Sequence, residues 1–156
     1  AKRNPIAAKI PIGPSADTNA GAYGSFSDWA TEVDPAFALN DSAVLTDVVT
    51  GKQFSVVRTG GVNHAEVEPQ TAEDAAKFLE IFGGEANWSK RAVTVQLGAK
   101  RVAASLQGMP HGADGLPGNS VTGGCCLYFY GSKSDVLGFT DVEHDEAVRR
   151  AAGQSN

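Results

Sequence analysis

The stretch MPHGADGLPGNSVTGGCCLYFYGS, residues 109–132, ends in an apolar run that predicts a buried strand over residues 125–130. A glycine-rich loop precedes this run, and the stretch holds both cysteines, the only methionine and one of three histidines. A thiol where a loop enters a strand, with a histidine upstream, is suited to covalent chemistry. This loop and strand are therefore the one place in the sequence that could carry out covalent chemistry.

Two pairs of β-rich runs precede this strand. Residues 43–49 and 54–58 are joined by a short connection that contains Gly51, which predicts a hairpin. Residues 91–97 and 101–106 flank a three-residue connection that starts at Gly98 and predict a second hairpin.

Two segments carry helix signals. Residues 71–82 (TAEDAAKFLEIF) place Thr71 at the N-cap, acids in the first turn and apolar residues on one face. Residues 142–152 begin with acids and end with arginines, as the helix dipole favours. The predicted fold class is α+β: an antiparallel sheet of about five strands with one central helix and one C-terminal helix.

Chain length and the distribution of prolines predict the domain organisation. A chain of 156 residues fits one domain, and we assign residues 25–156 to a single globular α+β unit. Residues 1–24 carry three prolines and many small residues, which predicts an extended N-terminal arm. Such an arm could reach a neighbouring subunit, so a homo-oligomer is a candidate assembly.

Charge and hydropathy exclude several partners. The net charge of −5 argues against nucleic acid, which selects basic surfaces, and against docking to anionic lipid. No apolar run approaches the roughly 20 residues needed to cross a bilayer, so we expect no membrane span.

The loop and strand supply candidates for a thiol site. Adjacent residues of a strand point to opposite faces, so Cys125 and Cys126 are predicted to be separate thiols, either of which could be the nucleophile. His111 is the candidate base, and the bare backbone at Gly124 could hold an oxyanion. Trp88, Asn119 and Ser120 are candidates for substrate contact. The alternative is two core cysteines beside a loop whose glycines serve only turns.

A second group of residues suggests a metal. His64, Glu66 and Glu68 would share one face if their segment is a strand, and His64 with Glu66 offers two ligands to zinc. His111 or Cys126 would have to complete the set, and the alternative is a solvated strand edge with a structural histidine. His144, in an acidic helical segment, is expected to face solvent.

Two families resemble this chain. His111-Gly112 followed by Thr122-Gly123-Gly124-Cys125 resembles the signature of the L,D-transpeptidases (YkuD-type), although Gly123 stands where that family has a histidine and the gap after His111 is shorter. The resemblance implies acyl transfer through a thioester.

A longer resemblance, over about residues 29–153, rests on the runs DVVTGKQFSVVRTGGVNHAEVEPQTAEDA, RVAASLQGMPHG and GGCCLYFYGS. These runs are similar to a domain of Firmicutes wall proteins that is fused to peptidoglycan-binding modules and described as zinc amidase- or peptidase-like. His64 matches a histidine of that family and its cysteine maps to Cys126, while two of its histidines map to Gly124 and Tyr128. The resemblance implies a secreted or cell-surface protein whose partner is peptidoglycan or a wall peptide.

Three functions follow for a wall-associated domain. The first is a thiol acyl-transferase or peptidase acting on wall peptides. The second is a binding or self-assembling protein that keeps the scaffold and has lost catalysis, and the third is a zinc-dependent amidase or peptidase.

Overall fold

A computed structural model describes residues 23–136 and 138–154 of the chain. The predicted arm over residues 1–24 therefore lies, except for its last two residues, outside the described part. The described residues form six strands: β1 (Ser42–Asp47), β2 (Gln53–Gly60), β3 (Ala65–Pro69), β4 (Lys90–Leu97), β5 (Lys100–Gln107) and β6 (Cys125–Tyr128). A π-helical turn, Trp29–Val33, runs into the one-turn helix α1 (Asp34–Ala36), and two longer helices follow, α2 (Ala72–Ile81) and α3 (Val142–Ala151).

The six strands close into an antiparallel barrel in the order β1-β2-β3-β6-β5-β4. The barrel closes because β1 pairs with β4 as well as with β2, with Leu45 opposite Val95. The predicted open α+β sheet of about five strands is wrong. An open sheet would leave two edges with unpaired N–H and C=O groups, and closure pairs them.

The segment around Glu66 and Glu68 was expected to present both acids on one face only if it formed a strand, and the structure shows that it forms β3. It is only five residues long and ends at Pro69, which cannot donate a ladder hydrogen bond. It nevertheless pairs with β2 on one side and with β6 on the other, and thereby inserts the last strand into the barrel. Both predicted hairpins are present as β1–β2 and β4–β5.

Side chains fill the barrel interior. Alternate residues of every strand point inward, and they include Leu45, Val56, Val93, Leu106 and Leu127. Helix α2 adds Phe78 and Ile81 to this core, and its N-terminus carries the predicted cap as a capping box between Thr71 and Asp74.

The C-terminal helix covers part of the outer barrel surface. Ala147, Val148 and Ala151 of α3 pack on Ala103 and Tyr128, which point outward from β5 and β6. His144 was expected to face solvent, and this is wrong: it is 3% exposed, and its Nδ1 lies 2.7 Å from Ser105 Oγ. None of the helices in the described ranges is long and apolar enough to cross a bilayer.

Candidate functional site

The register between β3 and β6 sets the two cysteines apart. Val67 pairs with Cys125 inside the barrel, and Glu66 pairs with Cys126 on the outer face. The Cys126 thiol donates to Glu66 Oε2 at 3.4 Å. Cys125 is enclosed by core side chains, so the thiol that can take part in a site is Cys126.

His64 joins this outer face from the turn before β3. Its Nδ1 lies 2.8 Å from the carbonyl oxygen of Lys133, and its Nε2 lies 2.7 Å from Glu66 Oε2. Its ring stacks on Tyr128, two residues beyond Cys126 on the same face, with ring centroids 4.5 Å apart. Because a carbonyl only accepts, Nδ1 carries a proton, and the hydrogen bond between Nε2 and the Glu66 carboxylate needs a second proton on Nε2.

His111 reaches the same place through the loop. Its N–H and C=O pair with Gly124 at 2.9 and 2.8 Å, which folds the loop back on β6. This approach requires Gly123, whose φ is +98° and where a Cβ would lie 2.7 Å from the His111 carbonyl oxygen. The His111 Nδ1 lies 2.8 Å from the Met109 carbonyl oxygen, and its Nε2 lies 3.7 Å from Cys126 Sγ.

The convergence of these side chains suits a metal ion. One ligand atom from each of His64, Glu66 and Cys126 lies within 4.8 Å of the others. Tetrahedral zinc with N, O and S ligands at about 2.0–2.3 Å holds them roughly 3.3–3.8 Å apart, so small shifts would complete the geometry. His64 also carries the outer contact typical of metal-binding histidines, a hydrogen bond from its other ring nitrogen to a backbone carbonyl.

Burial and acidic neighbours control protonation here. Burial raises the pKa of the Cys126 thiol well above its ordinary value, and the charge of Glu66 adds to this. Burial raises the pKa of Cys125 in the same direction, with contributions from Glu66 and Glu68. Burial alone would lower the pKa of His64, but its contacts with Glu66 and the Lys133 carbonyl outweigh this and raise it. Both shifts favour the protonated forms of Cys126 and His64 in the metal-free protein.

His64, Glu66, Cys126 and His111 form a cluster of side chains, and a cleft opens beside it. It has a volume of about 630 Å³, and Glu66 and His111 contribute to its wall together with Asp135 and residues 59–63 and 112–113. The Oδ2 of Asp135 lies 3.8 Å from His64 Nε2, which adds a second carboxylate near the cluster. A molecule in this cleft would meet His111 and the acidic side of the cluster.

The remaining predicted site residues occupy different places. Trp88 packs against the His111 ring with centroids 5.5 Å apart. Gly124 lies beside Glu66, but its N–H already donates to the His111 carbonyl. Asn119 is buried and donates to Glu68 and to the Pro69 carbonyl, while Ser120 is exposed with φ +71°. The structure thus brings Trp88 and Gly124 to the cluster and directs Asn119 to β3.

Sequence reasoning did not identify Thr59, Asp135 and Gln107. Thr59 and Asp135 line the cleft, and Gln107 ends β5 next to β6. Asp135 lies far from His64 in the chain, so no local spacing links them. The polar residues Ser105 and Gln107 interrupt the apolar sequence of β5 at buried positions, and this is a signal for Gln107.

Comparison of the chain with family models, with curated proteins and with solved structures finds no match. Both resemblances described above therefore stay predictions.

Proposed function

We propose that this chain is a zinc-dependent hydrolase that cleaves amide bonds of cell-wall peptides. The single observation that carries the proposal is the meeting of His64, Glu66 and Cys126, whose ligand atoms lie within 4.8 Å of one another. The set combines nitrogen, oxygen and sulfur ligands, and three protein ligands leave a position open, as catalytic zinc requires.

The roles of the chain's own residues follow from their contacts. Zinc, when bound, supplies Lewis-acid polarisation of a carbonyl oxygen. His64, Glu66 and Cys126 would hold it, and the Lys133 carbonyl fixes the orientation of His64. His111 lines the cleft, and its Nδ1 is engaged with Met109, so its Nε2 is the atom that can take and return a proton.

The substrate class rests on the resemblance to wall proteins and on the cleft. The matching runs include His64, Glu66, His111 and Cys126, which are the residues that form the cluster. A cleft of about 630 Å³ with glycines in its wall leaves room for an extended peptide beside His111. A wall substrate also implies a secreted or cell-surface protein.

The test is a zinc titration combined with a peptide assay. The chain is stripped with a chelator, titrated calorimetrically with Zn²⁺, and incubated with peptidoglycan fragments while new amino groups are counted. We expect one zinc per chain and amine release that the chelator abolishes. Cys126→Ala removes a zinc ligand and should weaken zinc binding by more than about 100-fold. This exceeds the roughly 10–100-fold loss that is typical when a residue that hydrogen-bonds to a ligand is removed.

The matched control is Cys125→Ala, which removes the neighbouring thiol inside the barrel and should bind zinc as the original chain does. Equal zinc binding by the two variants, or none by the original chain, would contradict the proposal. Zinc binding without amine release would favour the alternative of a binding or self-assembling protein that has lost catalysis.

A second candidate, thiol acyl transfer, is supported by one contact. Cys126 Sγ lies 3.7 Å from His111 Nε2, so the histidine is within reach of the thiol proton. The raised pKa of Cys126 and the adjacent Glu66 carboxylate oppose a free thiolate, which is why the metal function is preferred. Trapping of an acyl group on Cys126 by mass spectrometry in chelator would favour this candidate instead.

A further inference from the structure

Gln107 is a buried amide without a partner. The side chain is 3% exposed, and within the described ranges neither its Nε2 nor its Oε1 has a hydrogen-bond partner. Leaving a buried polar group unsatisfied costs about 1–3 kcal/mol, and the amide carries two such groups. A residue retained at this cost calls for a partner that the folded chain alone does not provide.

The strand register places this amide beside the cluster. Ser105 pairs with Tyr128 and Leu106 with Leu127, and beyond this last pair the next residue of β5 is Gln107 and the next residue of β6 is Cys126. Because side chains alternate along a strand, Gln107 shares the outer face of β5 with Ser105, and Cys126 shares the outer face of β6 with Tyr128. Because Cys126 in turn pairs with Glu66, the three residues lie on one face of the neighbouring strands β5, β6 and β3.

The neighbours of Gln107 on this face are already engaged. Ser105, two residues back on β5, lies 2.7 Å from His144 through its hydroxyl. Lys90, opposite Gln107 on β4, directs its ammonium group to Glu143 at 3.0 Å. The Cys126 thiol directs its proton to Glu66 and is a weak acceptor, and no hydrogen bond joins its sulfur to the amide in this form.

We propose, on the basis of the proposed zinc function, that Gln107 is a positioning residue whose amide N–H donates to the Cys126 sulfur once that sulfur binds the metal as a thiolate. A thiolate is a charged acceptor, and hydrogen bonds to charged groups are stronger than those to neutral ones. Such outer contacts orient metal ligands, and their loss typically costs about 10–100-fold in metal affinity.

The experiment compares the full-length chain with Gln107→Met, which keeps the length of the side chain and removes the amide. Zinc affinity is measured by titration, Co²⁺ is used as a probe of the sulfur-to-metal charge-transfer band, and urea unfolding is followed without metal. We expect zinc affinity to fall by about 10–100-fold. We expect the cobalt band to shift, because the sulfur loses a donor.

The stability of the metal-free chain distinguishes a positioning role of Gln107 from a purely structural role. Replacing an unsatisfied buried amide with an apolar group of similar shape should leave the stability of the metal-free variant equal or higher. Gln96→Leu is the matched control: Gln96 is an exposed glutamine on β4 that donates to Gly98, and this change should alter neither zinc affinity nor the cobalt band.

Each outcome decides between the two proposals. If the original chain binds zinc, and Gln107→Met binds it equally with an unchanged cobalt band, the role of Gln107 is overturned while the zinc function stands. If the metal-free variant loses stability while its zinc affinity is unchanged, the partner of the amide is a buried water. This result would also overturn the positioning role of Gln107. If the original chain binds no zinc, both proposals fail.

Discussion

At the residue scale, the chemistry of the site depends on which way one thiol points. Cys125 and Cys126 are neighbours in sequence, yet the two-residue period of a strand buries the first in the barrel and places the second against Glu66. This separation followed from the sequence as soon as a strand was assigned. The sequence does not show which of the two cysteines faces outward, because this depends on how β6 pairs with β3.

Alkylation of the metal-free folded chain should be slow at neutral pH. Burial and Glu66 raise the pKa of Cys126, so the reactive thiolate is scarce near pH 7 and increases only as the pH rises toward the raised pKa. Iodoacetamide labelling followed by peptide mass spectrometry measures this rate, and zinc should protect Cys126 further. Rapid labelling of Cys126 below neutral pH would contradict the account.

Zinc affinity should fall as the pH is lowered. The pKa of His64 lies above its ordinary value, and its Nε2 must lose a proton before it can bind metal. Affinity should therefore begin to fall at a pH higher than for an ordinary histidine, and Cys126 deprotonation adds to the trend. Titrations between about pH 5 and 8 measure it. Cys125→Ala should give the same profile, whereas a pH-independent affinity would argue against both ligands.

At the element scale, β3 and the loop of residues 109–124 build the site together. Glu68, buried at the end of β3, accepts from the Gly115 N–H at 2.6 Å and from Asn119 Nδ2 at 3.3 Å. The helices and hairpins were predictable because caps, turns and periodicity are local signals. Strand β3 and the loop's path were not, since both depend on contacts with residues distant in sequence.

Glu68→Ala should loosen the loop that carries His111. Two hydrogen bonds to a carboxylate are lost, each worth about 1.5–3 kcal/mol, and we expect the free energy of unfolding to fall by at least the value of one of them. Hydrogen exchange at the Gly115 amide should accelerate. Glu85→Ala, which removes an exposed acid from another loop, is the control and should change neither quantity. Unchanged exchange at Gly115 would mean that Glu68 does not anchor the loop.

At the scale of the whole molecule, barrel closure positions the site by inserting β6 between β3 and β5. This arrangement places Glu66 opposite Cys126 and brings the end of β5, which carries Gln107, next to β6. The sequence indicated the strands but could not indicate closure, because the pairing of β1 with β4 joins the two predicted hairpins through contacts that no local pattern specifies.

Asp47→Ala should weaken the seam where the barrel closes. Asp47 is fully buried on β1, and its two carboxylate oxygens accept from Arg91 of β4 at 3.1 and 2.8 Å. Removing one member of a buried pair typically costs about 3–5 kcal/mol, and we expect a loss near the lower end of this range because the remaining Arg91 side chain is 28% exposed. Urea unfolding measures the loss.

The control for this seam is Lys52→Ala, which breaks the exposed Lys52–Glu80 pair and should cost less than about 1 kcal/mol. Equal stability of the two variants would show that the Asp47–Arg91 contact does not hold β1 to β4.

The central claim is that one sulfur, one imidazole and one carboxylate of this chain bind a single zinc ion. X-ray absorption at the zinc edge of the reconstituted protein tests it most directly. We predict one sulfur at about 2.3 Å and nitrogen or oxygen ligands at about 2.0–2.2 Å, with the sulfur absent from Cys126→Ala. A spectrum with only nitrogen and oxygen ligands in the original chain, or one that keeps its sulfur in Cys126→Ala, would contradict the account.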